Sequence, residues 1–230
     1  MSRTEVIMED KNHKHVQNGS CRDINIAVLG GKGVGKSAII VRYLTGRFIG
    51  DYDPEMEAIF STNIPIDGKH YTINIMDTTS YFSGHDLKED PIFWADAFML
   101  VFSLIDLASY RTVQELVETL RMARDDEGVP ILAAANKSDL VHLWTMSSVE
   151  CEAWCSGQQC LFAEISASED PESIHKAFEL LCKRVRAVHK KREKLSWTLQ
   201  RPAVAAKLQI RQSLKNLAEK KLWRTRTSTM

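Results

Sequence analysis

The eight residues Gly30-Gly31-Lys32-Gly33-Val34-Gly35-Lys36-Ser37 constrain this chain more than any other stretch. They read G-x-x-x-x-G-K-S, the pattern of a loop whose backbone N–H groups turn inward around phosphate oxygens. Glycines permit the close approach, and a following helix adds the positive end of its dipole. The flanks agree with that reading. The run Ile24-Asn25-Ile26-Ala27-Val28-Leu29 predicts a buried strand before the loop, and Ala38, Ile39, Ile40, Val41, Tyr43 and Leu44 predict a helix after it. In this setting Lys36 reaches the terminal phosphates and the Ser37 hydroxyl ligates Mg²⁺.

Strands and helices alternate from Ile24 onward. Ile59–Ile66 and Tyr71–Met76 flank Asp67-Gly68, a two-residue hairpin signal. Asp77 stands at the carboxyl end of the second arm, and Thr78–Pro91 is irregular. Ala97–Phe102 is a continuous apolar run, as a strand covered on both faces requires. Asp106 is placed to cap a helix whose apolar stripe is Leu107, Tyr110, Val113, Leu116, Val117 and Leu120. Val129–Ala135 predicts another buried strand, Val149–Trp154 a short helix and Cys160–Ile165 the last strand. Asp170 then caps a helix with Pro171 at its first position, followed by Ile174, Ala177, Phe178, Leu181, Val185 and Val188 on one face. The pattern predicts an α/β fold with a mainly parallel sheet of about six strands, one antiparallel hairpin strand and helices on both faces. Ligands of such sheets sit outside the strands' carboxyl ends. Gly30–Ser37, Asp77, Asn136–Asp139 and Ser166-Ala167 all fall there, which predicts one nucleotide pocket.

Asn136-Lys137-Ser138-Asp139 chooses the base. A carboxylate accepts two hydrogen bonds from the N1–H and exocyclic amine of guanine, and adenine offers no such pair. A buried acceptor left unpaired costs ~1–3 kcal/mol, which helps Asp139 exclude the wrong base. The aliphatic stem of Lys137 can lie along the ring. The alternative role for Asp139 is a helix cap.

With these motifs in place the chain resembles a Ras-superfamily small GTPase, a P-loop NTPase fold, over about Asp23 to Arg192. The resemblance rests on the phosphate loop, Asp77-Thr78, Asn136–Asp139 and Glu164-Ile165-Ser166-Ala167. Arg47-Phe48-Ile49-Gly50-Asp51-Tyr52-Asp53-Pro54 resembles the effector loop. Within the superfamily the chain is similar to the divergent group that includes the estrogen-regulated growth inhibitor. The resemblance implies that GTP or GDP with Mg²⁺ is held by Gly30 to Ser37 together with Ala38, Phe48, Asn136, Lys137, Asp139, Ser166 and Ala167. It implies that Phe48 packs on the guanine edge, Asp77 holds Mg²⁺ through water, Ala167 offers its N–H to the base oxygen, and effectors dock on residues 48–57.

Four departures surround the terminal phosphate. The family places a Mg²⁺-binding Thr where this chain has Glu55, a carboxylate that could ligate Mg²⁺ but repels the γ-phosphate. Ser80 and Tyr81 replace the family's Gly and its water-orienting Gln. Lys32 replaces a glycine, where it obstructs an incoming arginine finger or supplies a cation from within the chain. With Lys36 carrying the electrostatic work and Tyr81 in the catalytic position, GTP hydrolysis is expected to be slow. Neutral drift is the competing explanation.

Charge is sharply partitioned. Residues 1–182 hold 15 Lys and Arg against 28 Asp and Glu, a net of −13, whereas residues 183–230 hold 15 against 2, a net of +13. After the polar arm 1–21 and the nucleotide-binding body 22–192, the tail 193–230 interleaves Val204, Leu208, Leu214 and Leu217 with lysines and arginines. This is the pattern of a basic amphipathic helix on anionic membrane or an acidic partner, or simply of a solvated charged helix. Few aromatics interleave, so nucleic acid ranks below lipid. No Cys follows Cys182, so no prenyl anchor is expected. Five cysteines without a signal-peptide pattern predict reduced thiols. Cys151, Cys155 and Cys160 read as ordinary small helix and strand residues rather than metal ligands. The expectation is a cytoplasmic monomer, peripheral at the inner face of the plasma membrane if the tail meets lipid. Two rivals stay open: a guanine-nucleotide-binding scaffold that does not cycle, and an adaptor acting through its tail.

Overall fold

The computed structural model describes residues 23–48, 58–78, 91–124, 128–195 and 197. The chain divides into two compact units, Met1–Arg186 and Ala187–Met230. In the first, six strands form one sheet: β1 (Asp23–Gly30), β2 (Ala58–Ile66), β3 (Lys69–Asp77), β4 (Ala97–Ser103), β5 (Ile131–Asn136) and β6 (Leu161–Glu164). Their order across the sheet is β2-β3-β1-β4-β5-β6. Every neighbouring pair is parallel except β2 with β3. This is the mostly parallel α/β sheet that the alternation predicts, with its one antiparallel strand at an edge.

The hairpin forms where Asp67-Gly68 predicts it. Ile66 pairs with Lys69, and both intervening residues have positive φ, the requirement of a two-residue turn that matches strand twist. The central strands are buried because both sheet faces are covered. On one face Ile24, Ile26, Val28, Met99, Val101, Leu132 and Ala134 pack with Ile39, Ile40 and Tyr43 of α1 (Lys36–Thr45) and with Ile174, Phe178 and Leu181 of α5 (residues 171–186). On the other, Ala27, Leu29, Phe98, Leu100, Phe102 and Ala133 pack with Val113, Leu116, Val117 and Leu120 of α3 (Leu107–Ala123) and with Cys151 and Cys155 of α4 (Ser148–Gly157). Alternation along each strand sends successive side chains to opposite layers, so a strand buried on both faces is apolar throughout.

Two helices start at side-chain caps. The Asp106 carboxylate accepts the Ala108 N–H at 3.0 Å at the start of α3, and Asp170 accepts from Glu172 and Ser173, both at 3.0 Å, at the start of α5. Two details differ from expectation. Leu107 is 41% exposed, because the first turn of α3 lies beyond the packed part of its stripe. A four-residue helix, α2 (Pro91–Trp94), follows the stretch expected to be irregular, most of which lies outside the described residues; the helix is too short to carry a period. Arg186, at the end of the first unit, pairs with Asp67 in the hairpin turn and lies over the Tyr71 ring at 5.0 Å. In the second unit, residues 187–195 are helical, and all of residues 190–195 are exposed. The arm 1–21 and the tail beyond residue 197 lie outside the described residues.

Candidate functional site

β1 delivers the chain into the loop at Gly30, whose backbone lies against β4. A Cβ there would overlap the Val101 carbonyl, and φ is +149°, so only glycine fits. The loop then wraps back to Gly35, which precedes α1 in a left-handed conformation (φ +99°). A Cβ at Gly35 would overlap the side-chain amide of Asn136. The two glycines therefore serve close packing as well as the turn. α1 starts without a side-chain cap, which leaves its first N–H groups for a ligand.

Lys36 is buried, and its ammonium donates to the carbonyls of Gly30 at 3.0 Å and Gly31 at 2.9 Å. Two of its three N–H donors are thus spent on holding the loop. Burial holds its pKa below the ordinary lysine range, and the nearby Asp77 carboxylate opposes that shift. Asp77 is only 2% exposed at the carboxyl end of β3. Thr78 is fixed beside it by donating to the Val28 carbonyl at 2.7 Å. Ser37 sits half-buried in the first turn of α1, Ala38 follows it, and the Lys32 side chain is exposed on the loop.

Asn136 joins the loop to the segment that follows β6. Its side-chain amide donates to the Val34 carbonyl at 2.8 Å, and its oxygen accepts the Ala167 N–H at 3.2 Å. Lys137 adopts a left-handed φ of +64°, costly for a non-glycine residue and a feature of functional turns. The Ser138 N–H donates to the Ile165 carbonyl at 3.2 Å. Asp139 accepts from the Ser166 hydroxyl at 2.7 Å, which orients its carboxylate, and Ser166 in turn lies 3.1 Å from the Ser168 hydroxyl. Residues of the 136–139 and 165–168 segments thus meet through side chains and backbone. The strand pattern puts Ser166 and Asp139 at the same end of the sheet, but a hydrogen bond between residues 27 apart carries no signal in a single sequence.

Phe48 ends the described segment after α1 and is 47% exposed. Glu55, Ser80 and Tyr81 lie outside the described residues. The chemistry present fits a nucleoside polyphosphate. The loop has no room for side chains at Gly30 and Gly35, α1 offers uncapped N–H groups, and Lys36 supplies a buried cation. It also fits Mg²⁺, a hard cation that takes oxygen ligands and keeps several waters. Ser37 in the first turn of α1 and Asp77 at the end of β3 carry oxygen donors of the kind such an ion takes. Among the described residues no group of three or more His, Cys, Asp or Glu stands ready to hold a metal without such a ligand.

The sequence profile of the Ras family matches residues 25–187. Ras-like protein family member 11B of Danio rerio is 39% identical over 169 residues, covering 71% of this chain and 69% of that protein. Ras-like protein family member 11A of Mus musculus is 36% identical over 176 residues, 74% of this chain and 73% of that one. The Homo sapiens 11A protein is 35% identical over 175 residues, with 73% and 72% covered.

Proposed function

The chain belongs to the Ras family of small GTPases, GTP-binding proteins of signal transduction, and from that premise we propose that it binds GTP and GDP with Mg²⁺ and hydrolyses GTP slowly. The observation that carries this reading is the bridge through Asn136, which makes the phosphate loop and the base-recognition segments one hydrogen-bonded body. Gly33 to Ala38 present N–H groups to the phosphates, and Lys36 neutralises charge on the terminal ones. Asp139, oriented by Ser166, accepts from the guanine edge, the Lys137 stem lies along the ring, and Ala167 donates to the base oxygen. Phe48 covers the guanine from the exposed side. Bound Mg²⁺ supplies charge neutralisation at the phosphate oxygens, with Ser37 and Asp77 as the residues that hold it. Glu55 is a further candidate ligand. Tyr81 and Ser80 supply neither the amide that orients an attacking water nor a glycine beside the phosphate, so the chemical step is slow.

Competition binding tests this reading directly. GTP should displace a fluorescent guanine nucleotide at least about a hundredfold better than ATP, and chelating Mg²⁺ should weaken GTP binding. Equal displacement by both nucleotides would refute the base assignment. A second reading, a scaffold that holds nucleotide without cycling, is favoured by the joint substitutions at Glu55, Ser80 and Tyr81. Mass analysis of bound nucleotide before and after long incubation with GTP and Mg²⁺ separates the two.

The exposed basic residues Lys190, Lys191, Arg192 and Lys194, continued by the tail, support peripheral attachment of a cytoplasmic monomer to anionic membrane. Removing residues 193–230 should then sharply weaken binding to phosphatidylserine vesicles. Residues 48–57 are the proposed effector contact.

A further inference from the structure

α4 ends in a motif that brings two thiols together. The Gln159 N–H donates to the Ser156 carbonyl at 3.0 Å, and the Cys160 N–H reaches back to the Cys155 carbonyl at 2.9 Å. Gln159 takes the left-handed conformation between them, at φ +56°. This is the double hydrogen bond of a Schellman helix end, in which the residue past the turn packs on the one five positions earlier. Here both of those residues are cysteines.

Covalent geometry then limits their separation. A Cα lies about 2.4 Å from its own carbonyl oxygen and about 1.5 Å from its own nitrogen. Through a 2.9 Å hydrogen bond, the Cα atoms of Cys155 and Cys160 are at most about 6.8 Å apart. Disulfides span Cα separations of about 4.4–6.8 Å. Both side chains enter the same apolar cluster, Cys155 fully buried and Cys160 8% exposed. Both are free thiols.

The other cysteines differ. Cys151 shares the cluster, but standing one helical turn from Cys155 it leaves their Cβ atoms about 5–6 Å apart, beyond the roughly 3.5–4.5 Å that a disulfide spans. Cys182 belongs to the cluster on the opposite sheet face. Cys160 has a cation at hand: the Arg121 guanidinium lies 3.9 Å from its sulfur and also donates to the Gln158 carbonyl. Burial raises both thiols, Cys155 to about 12, while Arg121 works against burial at Cys160.

We propose that Cys155 and Cys160 form a redox-active dithiol site that closes to a disulfide under a hydroperoxide and takes a trivalent arsenical across the same two sulfurs. Cys160 gives up its proton, its thiolate attacks the peroxide, the O–O bond breaks, and Cys160 becomes a sulfenic acid as the departing hydroxide takes that proton and leaves as water. The Cys155 sulfur then attacks the Cys160 sulfur, the S–O bond breaks, and a second water carries away the remaining proton. Two thiols lose two electrons and one hydrogen peroxide becomes two waters. The bond ties the last turn of α4 to the start of β6, the strand that leads to Ser166 and Ala167. It is independent of the nucleotide reading.

The test uses the full chain treated with hydrogen peroxide, quenched in acid, alkylated while unfolded, digested and weighed. The 155–160 linkage should exceed every other intramolecular pair at least tenfold and persist in Cys151→Ser. Cys155→Ser should leave a sulfenic acid at Cys160 that dimedone traps. Should either variant fail to fold, phenylarsine oxide on the unmodified chain gives the second reading: one arsenical per chain, protecting Cys155 and Cys160 from alkylation. A dominant 151–155 linkage, or both residues remaining alkylated after peroxide and after arsenical, overturns the proposal.

Discussion

The two ends of the proposed pocket, one assigned to the base and the other to the terminal phosphate, differ in what holds their residues in place. At the first, Asn136 bonds to Val34 and Ala167, Ser166 bonds to Asp139, and Gly35 is packed against the Asn136 amide. Changing one member disturbs the rest, because a buried polar group that loses its partner keeps the full cost of its desolvation. To the second, the family resemblance assigns the residues that depart from its pattern, Lys32, Glu55, Ser80 and Tyr81. Of these the structure describes Lys32, whose side chain is exposed on the loop. On the proposed reading, holding a nucleotide and cleaving it are separable demands on one fold. Binding would draw on the shared, buried network, and rate on side chains outside it.

Four substitutions probe that contrast. The largest effect belongs to Lys36→Ala, which removes the buried cation and its two loop hydrogen bonds. GTP and GDP affinities should both fall at least about a hundredfold in titration calorimetry. Asn136→Ala comes next. Cutting the bridge should cost about 2–3 kcal/mol in urea unfolding and weaken both nucleotides by about tenfold or more. Tyr81→Gln acts at the other end: single-turnover hydrolysis should rise at least about tenfold while affinity stays within about twofold. If affinity moves with rate, the two ends are not separable. The smallest effect is expected of Asp170→Ala, which removes the cap of α5 outside the pocket. Stability should drop by about 1 kcal/mol with the GTP-to-GDP affinity ratio unchanged. Hydrogen bonds from Ser173 and Glu172 hold the Asp170 carboxyl below its ordinary pKa, so its contribution is present above the usual carboxylate range and lost as pH falls through the lowered value.

Much of this was written locally. Asp67-Gly68 announces its hairpin because both turn residues must tolerate positive φ. β4 and β5 are legible because burial on both faces makes a strand apolar throughout. Asp106 and Asp170 mark helix starts through their own carboxylates. Leu107 and Val149 show the limit: each sits in the first turn of its helix at an apolar position and points to solvent, since periodicity does not tell where packing begins. The long-range bonds are out of reach of such reading. Arg186 and Asp67 are 119 residues apart, and nothing local in either announces the other. The thiol pair was hidden differently. A Schellman end normally advertises itself by glycine, and here Gln159 takes the left-handed position.

The most direct test follows labelled GTP through one turnover on the full-length chain, measuring retention and conversion in the same sample with Mg²⁺ present. The account predicts that GTP stays bound while conversion to GDP runs well below about 3 × 10⁻⁴ s⁻¹, the intrinsic scale of Ras itself. Loss of the label without binding, or conversion at that rate or faster, contradicts it.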